Sequence, residues 1–296
     1  MIQKIKDWMM PLAMLTGGVF YPIFSSLSWM TPYLIFLMLL FTFSKLAPQG
    51  IRYSKLHFIL LLIQLLSGIA AYYLLVGYNP ILAQGALICF LAPTATSAAV
   101  ITGMLNGDMG FLTSFTLLSN LGVAIVAPVF FSMGGINADL TFWSSFVSIF
   151  VKVFPLLILP LLFAWGIRFT FPKLQNFMLK YSKTPFYMWS LALMIVTGRT
   201  VESLLGLNAD EMHMAVLLGV ISIVICGIQF FVGKQIGARY DNRIAAGQSL
   251  GQKNTILAIW MSQVFLNPVS ALAPSTYILW QNMLNSYQLW KAHRRL

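Results

Sequence analysis

Residues 247–258 read GQSLGQKNTILA, and this short stretch decides how the rest of the chain has to be arranged. It contains two glutamines, a serine, a lysine, an asparagine and a threonine, and apolar runs lie on both sides of it. The chain as a whole is strongly apolar, because 59% of its 296 residues are hydrophobic and only 8% are charged. The sequence therefore brings polar groups and the positive charge of Lys253 into an apolar setting, and their purpose there is the main question.

Long apolar runs elsewhere in the chain predict transmembrane helices. Residues 58–76, 140–163 and 214–231 are long enough to cross the hydrocarbon core, which takes about 20 helical residues. Backbone polar groups in lipid must be satisfied within the segment, and these runs are apolar on all sides, so we expect helices rather than a β-barrel. The predicted fold class is an all-α polytopic membrane protein.

Loop signals divide the chain into about ten predicted spans. We place them at about 8–25, 31–47, 57–77, 83–105, 109–133, 140–166, 185–201, 212–235, 245–265 and 268–290. The first run starts as a signal peptide would, but no small-residue cleavage site follows it, so we interpret it as a retained helix.

The positions of the charges predict the topology. Of the 18 Lys and Arg residues, 15 fall in segments that share a side with the amino terminus, and Arg199 alone falls on the opposite side. This bias places both termini in the cytoplasm, with the protein in the inner or plasma membrane. The net charge of +11 is therefore explained by basic loop residues that set the orientation in the membrane, and not by nucleic-acid binding. All seven acidic residues fall near span ends or in loops, so no carboxylate is expected within the membrane.

A short internal repeat accompanies the spans. The third span contains IQLLSG at residues 63–68, and the eighth contains IQFFVG at 228–233. Each precedes a span with a polar interruption, and a separation of five spans predicts two inverted halves, at about 1–135 and 136–296. The glutamines of the repeat, Gln64 and Gln229, have two interpretations: each forms a hydrogen bond between helices, or each belongs to a binding site.

The first interruption is APTATSAAVIT, residues 92–102. Pro93 removes a backbone donor, and the threonines and the serine add hydroxyl groups. A broken helix here would expose the amino-terminal end of its second half, which suits an anion. The alternative is a proline-kinked helix whose hydroxyls bond to their own backbone.

The second interruption is the stretch at residues 247–258. An ionisable residue such as Lys253 at membrane depth is a functional candidate, because burying an ammonium there is costly. The alternative is a ninth helix that begins later, with Lys253 extending to the cytoplasmic surface.

Other functional classes find no support in the sequence. There is no HExxH, CxxC or Gly-x-Ser-x-Gly motif, so neither an enzyme, nor a metal site, nor a cofactor is expected. Cys89 and Cys226 lie within apolar runs and are interpreted as small core residues.

The two interruptions make the chain resemble the bile acid:sodium symporter family. The run PTATSAA at 93–99 is similar to the family's Pro-Gly-Gly-Thr-x-Ser-Asn, and SLGQKNTILA at 249–258 is similar to Glu-x-Gly-x-Gln-Asn-x-x-Leu-Ala. WQN at 280–282 resembles the family's Trp-His-Asn in the tenth helix. The resemblance covers most of the chain, although each motif is kept only in part.

The resemblance implies a fold and a site. It implies a single transmembrane transporter domain, residues 1–296, with ten helices in two inverted five-helix repeats and with broken helices 4 and 9 crossing near the midplane. Helices 1, 2, 6 and 7 would form a panel, and helices 3–5 and 8–10 a mobile core. The residues expected to face substrate are Thr96, Ser97, Asn254, Thr255, Gln281 and Asn282. The expected ion-coupling region comprises Gln64, Thr116, Ser249, Gln252 and Lys253.

The departures from the family pattern concern the sodium ligands. Ser249 stands at the position of the family's glutamate, Lys253 at that of a glutamine, and Ala98 and Ala99 at those of a serine and an asparagine. An ammonium among the former ligands would repel sodium by several kcal/mol at short range. The family thus implies sodium coupling, while these residues argue against it.

We therefore expect a secondary transporter of a small organic anion. The alternative is a non-transporting membrane sensor or scaffold that kept the fold after losing ion coupling. For the transporter, our hypothesis is that Lys253 replaces the bound sodium. The lysine could then couple transport to protons, leave the protein a uniporter, or pair directly with the anionic substrate.

Overall fold

The computed structural model describes residues 9–134, 142–181, 184–206 and 209–293, and this part of the chain is helical without any strand. The α-helices are α1 Met9–Val19, α2 Tyr21–Ser26, α3 Thr31–Phe43, α4 Lys55–Val76, α5 Pro80–Leu91, α6 Ala98–Met104, α7 Met109–Gly134, α8 Phe142–Thr170, α9 Pro172–Lys180, α10 Thr184–Leu205, α11 Ala209–Ala238, α12 Arg243–Gly251, α13 Thr255–Phe265 and α14 Leu272–His293. Several charges used for the predicted topology lie outside the described residues: Lys4, Lys6, Asp7, Asp139, Lys183, Arg294 and Arg295.

Four of the described helices are long and apolar enough to cross a membrane. They are Lys55–Val76, Met109–Ser132, Phe142–Thr170 and Met212–Ala238. Shorter apolar helices are found at Ser28–Phe43, Pro80–Leu91 and Thr255–Phe265. A chain with this many exposed apolar helices is a helical membrane protein.

Two helical stretches are interrupted where the sequence shows polar groups. The first break, residues 92–97, separates α5 from α6, and the second break, residues 252–254, separates α12 from α13. Pro93 cannot donate a helical hydrogen bond, which explains the end of α5. The second break contains neither glycine nor proline, so contacts with other helices must hold its backbone in place.

Two other features of the helices differ from the predicted spans. The first span is divided into α1 and α2, and Pro22 lies in the first turn of α2, where a proline is tolerated. Residues 172–180, which were expected to form part of a loop, fold into the short helix α9. The segment has only nine residues and contains two lysines, so it gave no signal of a membrane span.

The chain forms two compact units. Unit 1 comprises Met1–Ala47 and Pro155–His213, and unit 2 comprises Pro48–Phe154 and Met214–Leu296. In unit 1, α10 packs against α1, α2 and α3. Gly17 lies at the contact of α1 with α10, where an added Cβ would come within 2.4 Å of the Met194 carbonyl oxygen.

Unit 2 contains both breaks. Its helix α4 packs along α5 and α7, while α14 packs against α5 and α13. A buried apolar cluster joins α4, α7 and α12, and its members are Leu56, Leu60, Phe111, Phe115, Ala245, Ala246 and Leu250. This packing fixes the half-helices α5 and α12 against longer helices, so their ends are held at defined positions.

The glycines that end the two copies of the internal repeat each face a half-helix. A Cβ on Gly68, the last residue of IQLLSG, would meet the Leu87 carbonyl oxygen of α5 at 3.4 Å. A Cβ on Gly233, the last residue of IQFFVG, would meet the Ala246 carbonyl oxygen of α12 at 2.4 Å. A side chain at position 68 would make ordinary contact, whereas position 233 has no room for one, so Gly233 lets α11 approach the backbone of α12 closely.

Gly233→Ala tests the close approach of α11 to α12. The added methyl group meets backbone that cannot move aside, so we expect a loss of stability of about 1–3 kcal/mol. The measurement is thermal unfolding in detergent. Gly227→Ala in the same helix is the matched control, because a Cβ there has nothing within 4 Å. The control should be neutral or slightly stabilising, and equal unfolding temperatures for the two variants would contradict the assignment.

Candidate functional site

The two breaks meet in unit 2 and pair through their backbones. The amide nitrogen of Ala95 donates to the carbonyl oxygen of Gln252 at 2.9 Å. The amide nitrogen of Asn254 donates to the carbonyl oxygen of Pro93 at 2.8 Å. These bonds satisfy backbone groups that the interrupted helices leave free, and they explain how non-helical chain persists in an apolar interior.

Thr94 and Lys253 stand opposite each other in this short antiparallel bridge. The Thr94 hydroxyl donates to the carbonyl oxygen of Ser249 at 2.6 Å, close to the end of α12. The Thr94 amide donates to the Ser119 hydroxyl of α7 at 3.3 Å. Thr94 thus ties the first break both to the opposite half-helix and to a neighbouring long helix.

The carbonyl end of α5 is capped by side chains from the repeat helices. The amide nitrogen of Gln64 donates to the carbonyl oxygens of Leu91 and Ala92, each at 3.0 Å. The amide nitrogen of Gln229 donates to the carbonyl oxygen of Cys89 at 3.1 Å. Both glutamines are buried, and both satisfy carbonyls that the end of a helix leaves without partners.

Lys253 completes this cap with a positive charge. Its Nζ donates to the carbonyl oxygen of Phe90 at 2.9 Å, and the residue is only 1% exposed. The expected alternative, in which Lys253 extends to the membrane surface, is therefore wrong. No Asp or Glu occurs in α4–α7 or α12–α14. A proton on this amine would be stabilised by the partial negative charge at the carbonyl end of α5, since these helices offer no carboxylate.

In the described part of the chain, the donors at the carbonyl end of α12 are neutral. The Tyr277 hydroxyl donates to the carbonyl oxygen of Gly251 at 2.9 Å, and the Gln229 amide donates to that hydroxyl at 2.9 Å. The two half-helices are therefore capped differently, because α5 has an ammonium at its end and α12 has hydroxyls. We call the region where the two breaks pair the crossover, and its basic group, Lys253, lies at the end of α5.

Gln281 holds the second break in position. Its Oε1 accepts a hydrogen bond from the Lys253 amide at 2.9 Å, and its amide nitrogen lies 3.4 Å from the Lys253 carbonyl oxygen. The side chain is 4% exposed. The sequence suggested that Gln281 faces a substrate. In the structure, its side chain is buried and bonds to the backbone of Lys253.

Three of the expected substrate-facing residues lie in the two breaks and are accessible. Ser97 is exposed, and Thr96 and Asn254 are half-buried. The Asn254 side chain also caps α13, since its Oδ1 accepts from the Leu257 amide at 3.3 Å. The Gln252 amide nitrogen approaches the Ser97 hydroxyl at 3.3 Å, which joins the two breaks at this accessible edge.

The other expected substrate-facing residues lie elsewhere. Thr255 is 4% exposed at the start of α13, and its amide donates to the Lys253 carbonyl oxygen. Asn282 is half-buried, and its amide donates to the carbonyl oxygen of Ile278 in its own helix at 2.6 Å. The accessible polar edge of the crossover therefore consists of Thr96, Ser97 and Asn254.

The expected ion-coupling residues are only partly brought together. The Thr116 hydroxyl donates to the Leu112 carbonyl oxygen of its own helix, whereas Ser119, three residues on, donates to Gln64 Oε1 at 3.0 Å. Ser249 is fully buried, and its hydroxyl makes no hydrogen bond. Helix α7 therefore presents Ser119, and not Thr116, to the crossover.

A buried amide network adds residues that the sequence reasoning missed. Gln248 donates to Asn285 Oδ1 at 2.9 Å, and the Asn285 amide donates to Gln252 Oε1. Asn285 lies one helical turn beyond Gln281 on α14, and this spacing of four residues between two amides was the available signal. The network holds α12 against α14 beside the second break.

Groups typical of metal or redox chemistry are sparse. Within the described residues, no three His, Cys, Asp or Glu side chains lie together. Cys89 and Cys226 are buried free thiols.

Comparison with known proteins does not assign the chain. No protein-family model matches it, and a search of curated proteins finds no match either. The function therefore has to be argued from the crossover itself.

Thr94→Val tests the tie between the first break and α12. The substitution leaves the Ser249 carbonyl oxygen without its side-chain donor in a buried place, and we expect a loss of about 1–3 kcal/mol. Thr116→Val is the matched control, because the Thr116 hydroxyl bonds only within its own helix. Thermal unfolding in detergent should show a clear loss for the first variant and little for the second; similar losses in both would refute this role for Thr94.

Proposed function

We propose that the protein is a secondary transporter of a small organic anion, working by alternating access and without sodium. The observation that carries the proposal is the pairing of two broken helices around a buried lysine. Interrupted helices that meet in the interior are the usual construction of a substrate site in such transporters. An ionisable side chain at membrane depth is costly to bury, and such residues usually mark the path of a substrate or an ion.

The fold in this proposal is that of the bile acid:sodium symporter family. It has ten membrane helices in two inverted repeats, a panel of helices 1, 2, 6 and 7, a core of helices 3–5 and 8–10, and cytoplasmic termini. Two observations support it. The two compact units separate the proposed helices 1, 2 and 7 from the proposed core helices, while α8, the proposed helix 6, is divided between the units at Phe154 and Pro155. The glycines that end the IQ stretches face a half-helix in each half of the chain, Gly68 facing α5 and Gly233 facing α12.

An anion is the substrate class that fits the charges of unit 2. Its helices α4–α7 and α12–α14 carry no Asp or Glu, the acids of α11 lie in its first turn at Asp210 and Glu211, and Lys253 supplies the basic group. The accessible edge offers the hydroxyls of Thr96 and Ser97 and the amide of Asn254. A carboxylate at this edge would find hydrogen-bond donors and a favourable potential, whereas a cation would find a fixed like charge.

Sodium independence follows from the position of Lys253. Its ammonium already occupies the carbonyl end of α5. A sodium ion about 4 Å from the ammonium would be repelled by roughly 4 kcal/mol at an effective dielectric constant of about 20. Under the proposal, Lys253 is a tethered cation that replaces the mobile one. The protein is then either proton-coupled or a uniporter.

The role of Lys253 is tested by uptake in proteoliposomes, using a labelled carboxylate found by a thermal-shift screen. Uptake by the wild type should be unchanged when choline replaces sodium, across several pH values. Lys253→Gln should lower uptake by about tenfold or more, because the buried Phe90 carbonyl loses a charged donor. Strict dependence on a sodium gradient, or a variant equal to the wild type, would end the tethered-cation proposal.

The substrate edge is tested by the double variant Thr96→Ala, Asn254→Ala. We expect uptake of the same carboxylate to fall about tenfold or more, because two hydrogen bonds to a charged group are lost. Thr170→Ala, Asn176→Ala removes the same two side-chain types in unit 1 and should leave uptake unchanged. Equal uptake by the wild type and the first variant would reject the site.

The same vesicles distinguish a transporter from a membrane sensor. A transporter exchanges labelled carboxylate for unlabelled carboxylate across the vesicle membrane, whereas a sensor binds it without exchange. Binding in detergent together with no counterflow in vesicles would favour the sensor and would reject the transporter.

A further inference from the structure

The short helix α9, Pro172–Lys180, has no part in the proposed transport. Gln175 and Met178 are its buried residues, and we call their side of the helix the buried edge. The Gln175 amide nitrogen donates to the Ser44 carbonyl oxygen at 2.7 Å, which attaches this edge to the end of α3. The remaining sides of the helix are exposed.

The exposed sides of α9 differ in character. With about 100° per residue, Lys173 and Lys180 lie on the side opposite to the buried edge. Leu174 and Phe177 lie between the lysines and the buried edge, and they are 44% and 53% exposed. The helix therefore has an apolar side next to a basic side, which is the pattern of a helix that lies in a membrane surface.

The basic side has no counter-charge of its own. No acidic residue occurs between Asp139 and Glu202 in the sequence. Arg168, in the last turn of α8, adds a further positive charge four residues before Pro172, where α9 begins. This concentration of positive charge beside exposed apolar side chains favours an anionic partner that also has an apolar part.

We propose that α9 lies in the headgroup layer of the membrane and binds an anionic phospholipid. Lys173 and Lys180 contact the phosphate-bearing headgroup, while Leu174 and Phe177 pack against the upper part of the acyl chains. Continuity supports this placement, because α9 follows the apolar helix α8 directly and so starts at the membrane boundary. The inference rests on the membrane assignment and not on the transport activity.

Native mass spectrometry of the intact protein tests the proposal. The protein is exchanged into mixed micelles of phosphatidylglycerol and phosphatidylcholine, and the retained lipids are counted. The wild type should retain phosphatidylglycerol in preference to phosphatidylcholine. The double variant Lys173→Gln, Lys180→Gln should bind phosphatidylglycerol at least about tenfold more weakly, because each basic residue near an anionic membrane surface contributes about 1 kcal/mol.

The matched control is Arg239→Gln, Lys291→Gln, which removes the same charge from exposed positions in unit 2. It should keep the phosphatidylglycerol preference of the wild type. The proposal is overturned if the wild type shows no preference, if the α9 variant retains phosphatidylglycerol as the wild type does, or if the control loses it to the same extent. All substitutions are at exposed residues, so unfolding is not expected, and thermal unfolding in phosphatidylcholine alone checks this.

Discussion

The hydrogen bond from the Lys253 ammonium to the Phe90 carbonyl is the contact on which the crossover depends. Helix α5 ends inside the protein, where its last carbonyls have no water to bond with. Gln64 and Gln229 supply neutral donors, and Lys253 supplies the charged one. Because the lysine comes from the second break, the end of one half-helix is stabilised by the break in the other, and neither is complete alone.

This dependence explains why so many polar side chains surround Lys253 without touching its charge. Gln281 accepts a hydrogen bond from the Lys253 amide. Thr94, opposite Lys253 in the first break, donates to the Ser249 carbonyl oxygen and so holds the first break against α12. These contacts hold the peptide groups that aim the side chain at α5. A buried ammonium with one carbonyl acceptor tolerates little displacement, since the attraction at the end of the helix falls off within its last turn.

The sequence predicted the breaks better than the contacts between them. Pro93 and the polar stretch 247–258 stand out against apolar surroundings, so the two interruptions were visible without a structure. The sequence did not show whether Thr116 or Ser119 contacts Gln64. Both lie on α7, and the rotation of that helix about its axis determines which hydroxyl reaches Gln64. Helix α9 was missed for another reason: its nine residues are amphipathic, but they are too few to cross a membrane, and the search for spans did not consider short surface helices.

A tethered cation changes the energetics of the proposed transport. A mobile ion does work by binding on one side of the membrane and leaving on the other, and an ammonium on a side chain cannot do this. The driving force must then come from the substrate gradient, from the membrane potential, or from a proton that the lysine exchanges. For an anion that moves alone, a potential of about 100 mV, negative inside, favours export by about 2.3 kcal/mol per charge. A uniporter built on this crossover would therefore tend to release anions from the cell, and net accumulation would require protons to enter with the substrate.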